Sequence, residues 1–572
     1  VFGEIIPLYG DYADGFWDRS LKEMPGDYSK SFLFRSFRNS TVIATEQLPV
    51  ESLEQDTSCH CGLDPQSPEL QYPYFTCELG GGMMSSYHRR IHIYPMDVYA
   101  MALVRVGSGS NLPGYYMYHG GTNPQGKLTT LNEEQATPMT NYNDLPVKTY
   151  DFQAPLGEFG QVNGQYHLLR RFHLFLQDFG NELALMSPYF PEDAPTHPND
   201  DTTLRWSTRH NGKSGFVFVN NYQRLKPLSK KEDVQFTIDL PENRLTFPDS
   251  PVSVPEGAAF FLPFNMQMGE ANLIYATAQP IAQLTENNAQ TFFFAQISGI
   301  PADFIFEQQG VFKNIPVGTK PAISFQDAPN HTINIVVLDE TRSLALWKGE
   351  FAGKERIFLT DSELTWHNNE TTFGVSQLWL TGVNTNDFSV AIYPAPETLK
   401  FENQPVKGQS DGLFTRFTVK IATAKLPKVR VKQIQAAGDL RKIAMGAANV
   451  AESPKDKDFE QAAVWQINLP KNTDANRDLY LQIPYTGDVA RIYSENQFLT
   501  DNFFNGKVFE LGLKRFAPEI YNNDLTLKIL PLQKDAPIYF QQEGKIDFKG
   551  ADSAIEVQTV NVYEKRQIIL YK

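Results

Sequence analysis

The sequence predicts an α/β region followed by all-β domains built from antiparallel strands. Two observations predict this division. Before about residue 190, two segments with helical periodicity alternate with apolar strand patterns, which is typical of βαβ units. After that point, short strands alternate with turns as far as Lys572, and few segments have the periodicity of a helix.

Length and composition indicate a multidomain globular protein. At 572 residues, the chain exceeds the size of one hydrophobic core. An aromatic fraction of 13% fits either filled cores or surfaces that stack on sugars. A net charge of −15 would repel a phosphate backbone, so we expect no nucleic-acid partner. No apolar run reaches the roughly eighteen residues that span a bilayer, and three cysteines argue against a disulfide scaffold.

Two helices are predicted in the first region. The stretch YPMDVYAMALVRVGSG, residues 94–109, has apolar residues at helical spacing and Gly107 near its end. The stretch YHLLRRFHLFLQDFGNE, residues 166–182, carries an apolar face, and Gly180 stands where a C-terminal cap is expected. Three strand patterns accompany these helices: TVIATEQL (41–48), YPYFTCEL (72–79) and GYYMYHGG (114–121).

The second region is predicted to hold two or three antiparallel β domains of sandwich type. The stretch LRWSTRHNGKSGFVFVNN, residues 204–221, predicts a hairpin that turns at Asn211 and Gly212. A polar, proline-rich segment near residue 190 separates this region from the first. The predicted domains are 1–190 for the α/β region, 191–285 for a small antiparallel domain, 286–395 for a β-sandwich and 396–572 for a jelly roll.

Residues 49–71, PVESLEQDTSCHCGLDPQSPELQ, form a predicted surface insertion. The stretch is polar, lacks periodicity and interrupts two strand patterns. Cys59 and Cys61 flank a histidine, but the spacing does not match a zinc site and a second Cys/His pair is missing nearby. We therefore expect no metal there.

Glu78 lies near the end of the 72–79 strand, with only Leu79 between it and the glycines at 80–82. In a strand it would share one face with Thr76, whereas Cys77 would point to the opposite face and pack as a small buried residue. The glycines would clear space beside the carboxylate, as a substrate pocket requires, although a tight turn requires the same. Glu78 is thus either a solvent-facing acid or a site residue.

Several stretches resemble glycoside hydrolase family 35, the β-galactosidases. GYYMYHGGTN (114–123) resembles the family signature, and YDFQAPLGEFG (150–160) resembles a second family stretch. YFTCELGGGM (74–83) falls where the family carries its nucleophile, and later stretches such as GFVFVNNYQRL (215–225) resemble the β domains of bacterial members. The resemblance covers most of the chain apart from the insertion.

This resemblance implies a partial (β/α)₈ TIM barrel, with the three strand patterns as strands six to eight, followed by β-sandwich and galactose-binding-like jelly-roll domains. The site would lie at the carboxyl ends of the strands. The implied activity is that of a retaining exo-β-galactosidase, which cleaves terminal β-galactosides from oligo- or polysaccharides without a cofactor. Glu78 would be the nucleophile, and the implied substrate-binding residues are Tyr116, Tyr150 and Phe152.

Two positions depart from the family pattern in the substrate pocket. Phe152 stands where the family usually has a tyrosine, and it cannot donate a hydrogen bond. Gly80 stands where many members carry an aromatic residue. These changes leave open a family-35 enzyme that acts on another β-glycoside. Tyr118 and His119, within the signature, are interpreted as structural polar residues beneath the site.

The second carboxylate of a retaining mechanism is not found in this sequence. The family carries it in an N-E-x-x-G-type motif on strand four, and no such motif precedes Glu78. Residues 1–18 resemble the loop that follows strand five, so strands one to five and the acid/base are expected to lie outside this chain. Glu46, at the end of the 41–48 strand, is the nearest substitute, and Glu4 is a weaker one.

Without the acid/base, the chain alone is expected to be impaired. One hypothesis is that a second polypeptide supplies the N-terminal half of the barrel, and another is that the chain is a truncated product. A non-catalytic carbohydrate-binding or scaffolding protein is the rival to the enzyme. Family habit implies a periplasmic or secreted location in a bacterium.

Overall fold

The structure is a computed structural model, and it describes residues 8–14, 20–24, 28–35, 73–127, 145–368, 375–446, 449–541 and 546–572. Far more of these residues lie in strands than in helices, which confirms the predicted dominance of β structure. The predicted domain boundaries stay predictions. The strand expected at 41–48, Glu4, Glu46 and the 49–71 insertion with its cysteines lie outside the described residues.

Up to residue 189, the described chain combines short strands with two longer helices. The helices are α1 (Pro95–Gly107) and α2 (Gly164–Leu183), and a 3-10 turn covers Tyr28–Phe32. The strands are β1 (Leu8–Asp11), β2 (Tyr74–Leu79), β3 (Arg89–Arg90), β4 (Ser110–Tyr115), β5 (Gly121–Thr122), β6 (Thr149–Tyr150) and β7 (Ser187–Tyr189).

A parallel sheet of three described strands, in the order β1-β2-β4, places the candidate site. Strand β2 confirms the prediction over 72–79, whereas β4 begins before the predicted 114–121 strand and ends ahead of Tyr116. The expectation of a loop near the start of the chain is wrong for residues 8–11, because Leu8–Asp11 pairs with β2. Both edges of β2 are therefore occupied, by β1 and β4. The partial barrel, with these strands as strands six to eight, stays a prediction.

Both predicted helices are present. Pro95 occupies the first turn of α1, where its missing N–H costs nothing, and the Asp97 side chain accepts a hydrogen bond from the Tyr94 N–H at 2.8 Å. Helix α2 runs past Gly180, where the sequence predicts its C-terminal cap. It continues to Leu183 because that side chain is buried in the core, so the apolar face extends one more turn.

The next part of the chain is entirely β. Its strands are β8 (Arg205–His210), β9 (Gly215–Asn220), β10 (Lys231–Asp239), β11 (Arg244–Val254), β12 (Ala259–Met268), β13 (Ala271–Ala276), β14 (Ala278–Glu286), β15 (Ala289–Gln296), β16 (Phe304–Phe306), β17 (Gly310–Phe312), β18 (Ile323–Ala328) and β19 (His331–Leu338). They form sheets ordered β17-β16-β13-β12-β9-β8-β7, β14-β15-β19-β18 and β10-β11. The β8–β9 hairpin turns at Asn211 and Gly212, as predicted, and Gly212 supplies the φ of +90°.

After a short helix α3 (Glu340–Leu344), strands resume to the end of the chain. They are β20 (Leu346–Phe351), β21 (Lys354–Leu359), β22 (Glu363–His367), β23 (Gln377–Val383), β24 (Asp387–Tyr393), β25 (Lys400–Phe401), β26 (Gln404–Pro405), β27 (Gly408–Asp411), β28 (Phe414–Lys420), β29 (Arg430–Gln435), β30 (Ala463–Asn468), β31 (Asp478–Ile483), β32 (Tyr485–Thr486), β33 (Val489–Ser494), β34 (Gln497–Phe503), β35 (Phe509–Gly512), β36 (Leu525–Ile529), β37 (Leu532–Gln533), β38 (Tyr539–Phe540), β39 (Ser553–Ala554), β40 (Glu556–Val557) and β41 (Asn561–Tyr571). Short 3-10 turns cover Asp456–Gln461, Leu513–Phe516 and Glu519–Tyr521.

These strands form two five-stranded sheets, ordered β20-β21-β24-β28-β27 and β29-β30-β36-β33-β34. A third sheet gathers around the long strand β41, which pairs with β23, β25 and β31. Apolar side chains of β30, β33 and β36 face one core, because the residues of each strand alternate between the two faces of the sheet.

Aromatic packing joins the first region to the β sheets. Phe172 and Phe175 of α2 lie against Phe261 of β12, with the Phe175 and Phe261 ring centroids 4.1 Å apart. All three rings are fully buried. Burial of each such side chain contributes about 1.5–3 kcal/mol, so this contact holds α2, and the parallel sheet beside it, on the β framework.

A buried ion pair ties the first region to the C-terminal strands. The Arg90 guanidinium lies 2.8 Å from Asp488 Oδ1 and also donates to the Asp488 and Phe504 carbonyl oxygens. Tyr87 donates to Asp488 Oδ2 at 2.8 Å. Because every partner is satisfied, this contact fixes the geometry between segments about 400 residues apart in the chain.

Candidate active site

Three polar residues lie at the carboxyl ends of neighbouring parallel strands. Tyr12 directly follows β1, Glu78 is the penultimate residue of β2, and Tyr116 directly follows β4. Gly10 pairs with Glu78 in the register, and the Tyr116 N–H donates to the Leu79 carbonyl at 3.0 Å. The sheet therefore places the Glu78 residue between the two tyrosine positions.

The Tyr12 hydroxyl donates a hydrogen bond to Glu78 Oε2 at 3.1 Å. Both side chains are partly exposed, so the carboxylate is reachable from solvent. This hydrogen bond fixes the orientation of the carboxylate. The sequence pattern does not single out Tyr12, because residues 1–18 resemble a loop. The available signal is a tyrosine four residues after the apolar run IIPL, residues 5–8.

Two predicted substrate-binding tyrosines contact each other. The hydroxyl oxygens of Tyr116 and Tyr150 are 2.6 Å apart, and the rings lie edge to face. Tyr150 reaches this position because β6 pairs with β5, which follows Tyr116 in the chain. The structure thus brings the side chains of Tyr116 and Tyr150 together, next to the strand end that neighbours Glu78.

Phe152 lies behind the phenol pair. Its ring centroid is 5.5 Å from that of Tyr116 and 4.8 Å from that of Tyr150, and its side chain has no exposed surface. Its φ of +58° is unusual for a residue with a bulky side chain. Such strain is held only by dense surroundings, so Phe152 packs the phenols from behind.

The glycines after Glu78 serve close packing, which corrects the expectation that they clear open space. A side chain at Gly81 would collide with the Met117 carbonyl oxygen, and one at Gly82 would collide with the Phe152 carbonyl oxygen. A Cβ at Gly80 would lie 2.8 Å from the Tyr12 ring. Tyr12 therefore leaves no room for an aromatic side chain at position 80.

Cys77 and the signature residues Tyr118 and His119 are separate from the carboxylate–phenol arrangement. Burial, followed by the neighbouring Glu78 charge, raises the pKa of the Cys77 thiol, which makes it a poor nucleophile. Tyr118 packs on the rings of Tyr115 and His173, and burial raises its pKa to about 12. The His119 side chain is exposed.

A carboxylate of the C-terminal strands supports the Tyr150 strand. Asp501 is buried and accepts hydrogen bonds from the backbone N–H groups of Val147, Lys148 and Thr149, at 2.6, 2.8 and 3.0 Å. These amides directly precede Tyr150. Sequence analysis gave no signal for this contact, because the two segments lie more than 350 residues apart.

Glu158 is a buried carboxyl group behind the same strand. Its side chain bonds to Thr122, lies 3.5 Å from Thr500 Oγ1 and is 3.8 Å from the Arg515 guanidinium. Burial raises its pKa to about 8, so it is largely protonated at neutral pH. Thr122 pairs with Thr149 rather than Tyr150, so Glu158 lies on the face of this ladder opposite to the Tyr150 phenol.

Within the described ranges, no group of three or more His, Cys, Asp or Glu side chains is arranged to hold a metal ion. The same ranges contain no helix that is both long and apolar enough to cross a bilayer. The site is therefore described by its carboxylate, its phenols and the segments that hold them.

Comparison with known proteins supports one class for this site. The family model described as glycosyl hydrolases family 35 matches residues 30–176, about a quarter of the chain. The matched segment contains Glu78, Tyr116 and Tyr150, and the match supports a glycoside hydrolase, whose substrate is a carbohydrate. Tyr12 and the β sheets after α2 lie outside the matched residues.

Among solved structures, the chain is similar to the GH31 alpha-xylosidase from Xanthomonas citri, with 10% identity and a TM-score of 0.10. The similarity covers 66% of this chain and 37% of that one, so this chain spans little more than a third of that structure. At this level the similarity carries no argument about fold or activity. No curated protein matches the sequence.

Proposed function

We propose that this chain is a retaining exo-β-galactosidase-type glycoside hydrolase that removes terminal β-galactosides from oligo- or polysaccharides. One observation carries the proposal: Glu78 ends a parallel strand, accepts a hydrogen bond from Tyr12, and lies beside the strand end that leads into Tyr116. The family 35 match over 30–176 supports the hydrolase class.

In the proposed reaction, a Glu78 carboxylate oxygen attacks the anomeric carbon of the terminal sugar. The glycosidic C–O bond breaks, its electron pair leaves with the aglycone oxygen, and a glycosyl-enzyme ester forms. Water then attacks the same carbon, a general base takes the proton of that water, and Glu78 is released as a carboxylate, so the configuration is retained over two inversions. Tyr12 orients the attacking carboxylate, and the Tyr116–Tyr150 pair offers hydroxyl groups to the sugar.

The leaving group also needs a proton from a second carboxyl group about 5–5.5 Å from the nucleophile. Glu158 is protonated at neutral pH, but its burial behind the Tyr150 strand rules it out as that donor. We propose that the donor comes from a second polypeptide that completes the barrel. In support, β1 and β4 each pair on one side only among the described strands.

If the donor comes from a second polypeptide, the chain alone should be slower by about 10²- to 10⁴-fold on substrates with poor leaving groups. An activated aryl galactoside needs no proton donor, so it should still form the glycosyl-enzyme. Gel filtration coupled to mass spectrometry of material from the native source tests the second polypeptide. A single 64.7 kDa species would contradict it.

The experiment for the proposed reaction is hydrolysis of 2,4-dinitrophenyl β-D-galactopyranoside, followed by proton NMR of the first sugar released. We expect dinitrophenolate release and β-galactose as the initial product. Glu78→Gln should remove this activity. Initial α-galactose would contradict retention, and equal rates for the wild type and Glu78→Gln would contradict the assigned nucleophile.

An alternative concerns the sugar that is cleaved: the activity would be a family-35 activity on a β-glycoside other than a galactoside. Phe152 offers no hydroxyl group, and the aromatic position at 80 is occupied by glycine because Tyr12 fills that space. Parallel assays with the β-glucoside and β-glucosaminide analogues separate the alternatives, because the preferred sugar shows the highest kcat/KM. We also propose a periplasmic or secreted location, which cell fractionation tests.

A further inference from the structure

We propose that a groove between two hairpin tips binds a neutral oligosaccharide at a site separate from Glu78. The groove has a volume of about 650 Å³ and lies where the β14–β15 and β18–β19 hairpins approach the end of β24. None of its lining residues belongs to the candidate active site. The volume falls within the range of about 300–1,000 Å³ that is usual for ligand sites.

Four side-chain amides line the groove: Asn287, Asn288, Gln326 and Asn330. In the described part of the chain, none of these four amides is hydrogen-bonded to a protein group. Each amide offers one acceptor oxygen and two N–H donors, the combination that matches vicinal sugar hydroxyls.

Turn geometry explains why two of these four positions carry an amide side chain. Asn287 and Asn330 have φ values of +53° and +62°, a left-handed conformation that asparagine tolerates in tight turns. Asn288 and Gln326 have no such conformational role, and both side chains are exposed at the groove. Their presence beside the turn residues is what indicates a ligand.

Tyr393 supplies an aromatic surface in the groove. Its side chain is partly exposed, and the edge-to-face contact with Phe414, at 6.2 Å between centroids, holds its orientation. Pro394 and Leu413 lie beside it in the lining. An aromatic ring bordered by amides suits a sugar, whose C–H face packs on the ring while its hydroxyls reach the amides.

The charge of the groove selects the class of ligand. Glu286 is the one charged side chain among the lining residues, and Lys354 neutralises it in an ion pair of 2.9 Å. The lining holds no cation for a carboxylate or sulfate, and the paired Glu286 leaves little attraction for a cationic ligand. An uncharged, hydroxyl-rich chain is therefore the ligand that the lining matches.

Isothermal titration calorimetry of the full chain carrying Glu78→Gln tests the site without turnover. The probes are β-1,4-galactotetraose and cellotetraose, with trigalacturonic acid as the anionic comparison, all in saturating isopropyl thiogalactoside to fill the proposed active site. We expect saturable binding of at least one neutral tetrasaccharide and none of trigalacturonic acid. Because neither catalysis nor the active site is measured, failure here leaves the proposed hydrolase untouched.

Variants assign the binding to the groove. Asn288→Ala/Gln326→Ala removes two exposed amides, and Tyr393→Ala removes the ring; each should raise the Kd at least tenfold. The matched control is Asn403→Ala/Gln404→Ala, an exposed amide pair at the β25–β26 hairpin, which should leave the Kd unchanged. The double variant keeps the proposal testable if Tyr393→Ala fails to fold.

Three results would overturn the proposal, the first two by removing the site and the third by removing its ligand class. One is the absence of saturable binding by both neutral tetrasaccharides. Another is binding that the Asn288→Ala/Gln326→Ala variant retains in full, which would place the ligand elsewhere. Tighter binding of trigalacturonic acid than of the neutral chains would overturn the assigned ligand class.

Discussion

The Tyr12 hydroxyl hydrogen-bonds the Glu78 carboxylate across two adjacent parallel strands, at 3.1 Å. The two residues are 66 positions apart in the chain, and the parallel pairing of β1 with β2 brings them together. This contact distinguishes Glu78 from a strand-end acid that merely faces solvent. The same phenol occupies the space beside Gly80, so it limits the side chain that fits at position 80 as well as orienting Glu78.

Tyr12→Phe should slow glycosyl-enzyme formation while leaving the fold intact. A hydrogen bond to a charged group contributes about 1.5–3 kcal/mol, which corresponds to a rate loss of about 10- to 100-fold. Pre-steady-state release of dinitrophenolate measures this step. The control is Tyr189→Phe, a partly exposed tyrosine stacked on His210, which should have no effect. An unchanged rate for Tyr12→Phe would contradict its orienting role.

Tyr150→Phe should weaken substrate recognition. The substitution removes one hydroxyl of the 2.6 Å pair with Tyr116 but keeps the ring packed on Phe152. A neutral hydrogen bond contributes about 0.5–1.5 kcal/mol, so kcat/KM should fall about 2- to 10-fold with little change in melting temperature. If kcat/KM is unchanged at equal stability, the phenol pair does not contact the sugar.

Asp501→Ala should destabilise the strand that carries Tyr150, although the two residues are far apart in the sequence. The change leaves three backbone N–H groups without their acceptor, and each buried unsatisfied group costs about 1–3 kcal/mol. We expect a lower melting temperature and faster hydrogen exchange at residues 147–149, together with a lower kcat/KM. Asp239→Ala, which removes an exposed ion pair with Arg244, is the control and should cost at most about 1 kcal/mol. Unchanged exchange at 147–149 would contradict the support.

Glu158 should make the protein less stable as pH rises. Burial raises its pKa from 4.5 to about 8, so between these values the folded chain keeps a proton that the unfolded chain releases. The free energy of unfolding should therefore fall across this window, by at most about 1.4 kcal/mol per pH unit. Above about pH 8 both states are ionised, and the effect levels off.

Melting temperatures of the wild type and Glu158→Gln across this pH range measure the effect. The amide keeps the shape of the protonated acid but does not titrate, so the variant should gain stability relative to the wild type as pH rises. Parallel pH profiles for the two proteins would show that another group causes the loss.

The sequence predicts those elements whose formation depends on interactions between residues close together in the chain. Helix α1 and the hairpin at Asn211 and Gly212 form as expected, because proline placement, periodicity and turn chemistry act over a few residues. Helix α2 lies where the sequence predicts it but is longer than predicted, because burial of Leu183 outweighs the preference of Gly180 for a helix end.

The parts that could not be predicted depend on contacts between distant segments. Tyr12 joins the site only because Leu8–Asp11 pairs with β2, and Asp501 acts on amides more than 350 residues away. The packing role of Gly81 is likewise visible only once Met117 is placed against it. The resemblance pointed to Glu78, Tyr116 and Tyr150, whereas the residues that hold them required the fold.

The most direct test of the account is covalent labelling with 2,4-dinitrophenyl 2-deoxy-2-fluoro-β-D-galactopyranoside, followed by peptide mapping. The account predicts one fluorogalactosyl group per chain, attached to Glu78 in the peptide that contains β2, and no labelling of Glu78→Gln. Labelling at another carboxylate, or undiminished labelling of Glu78→Gln, would contradict the assignment of Glu78 as the nucleophile.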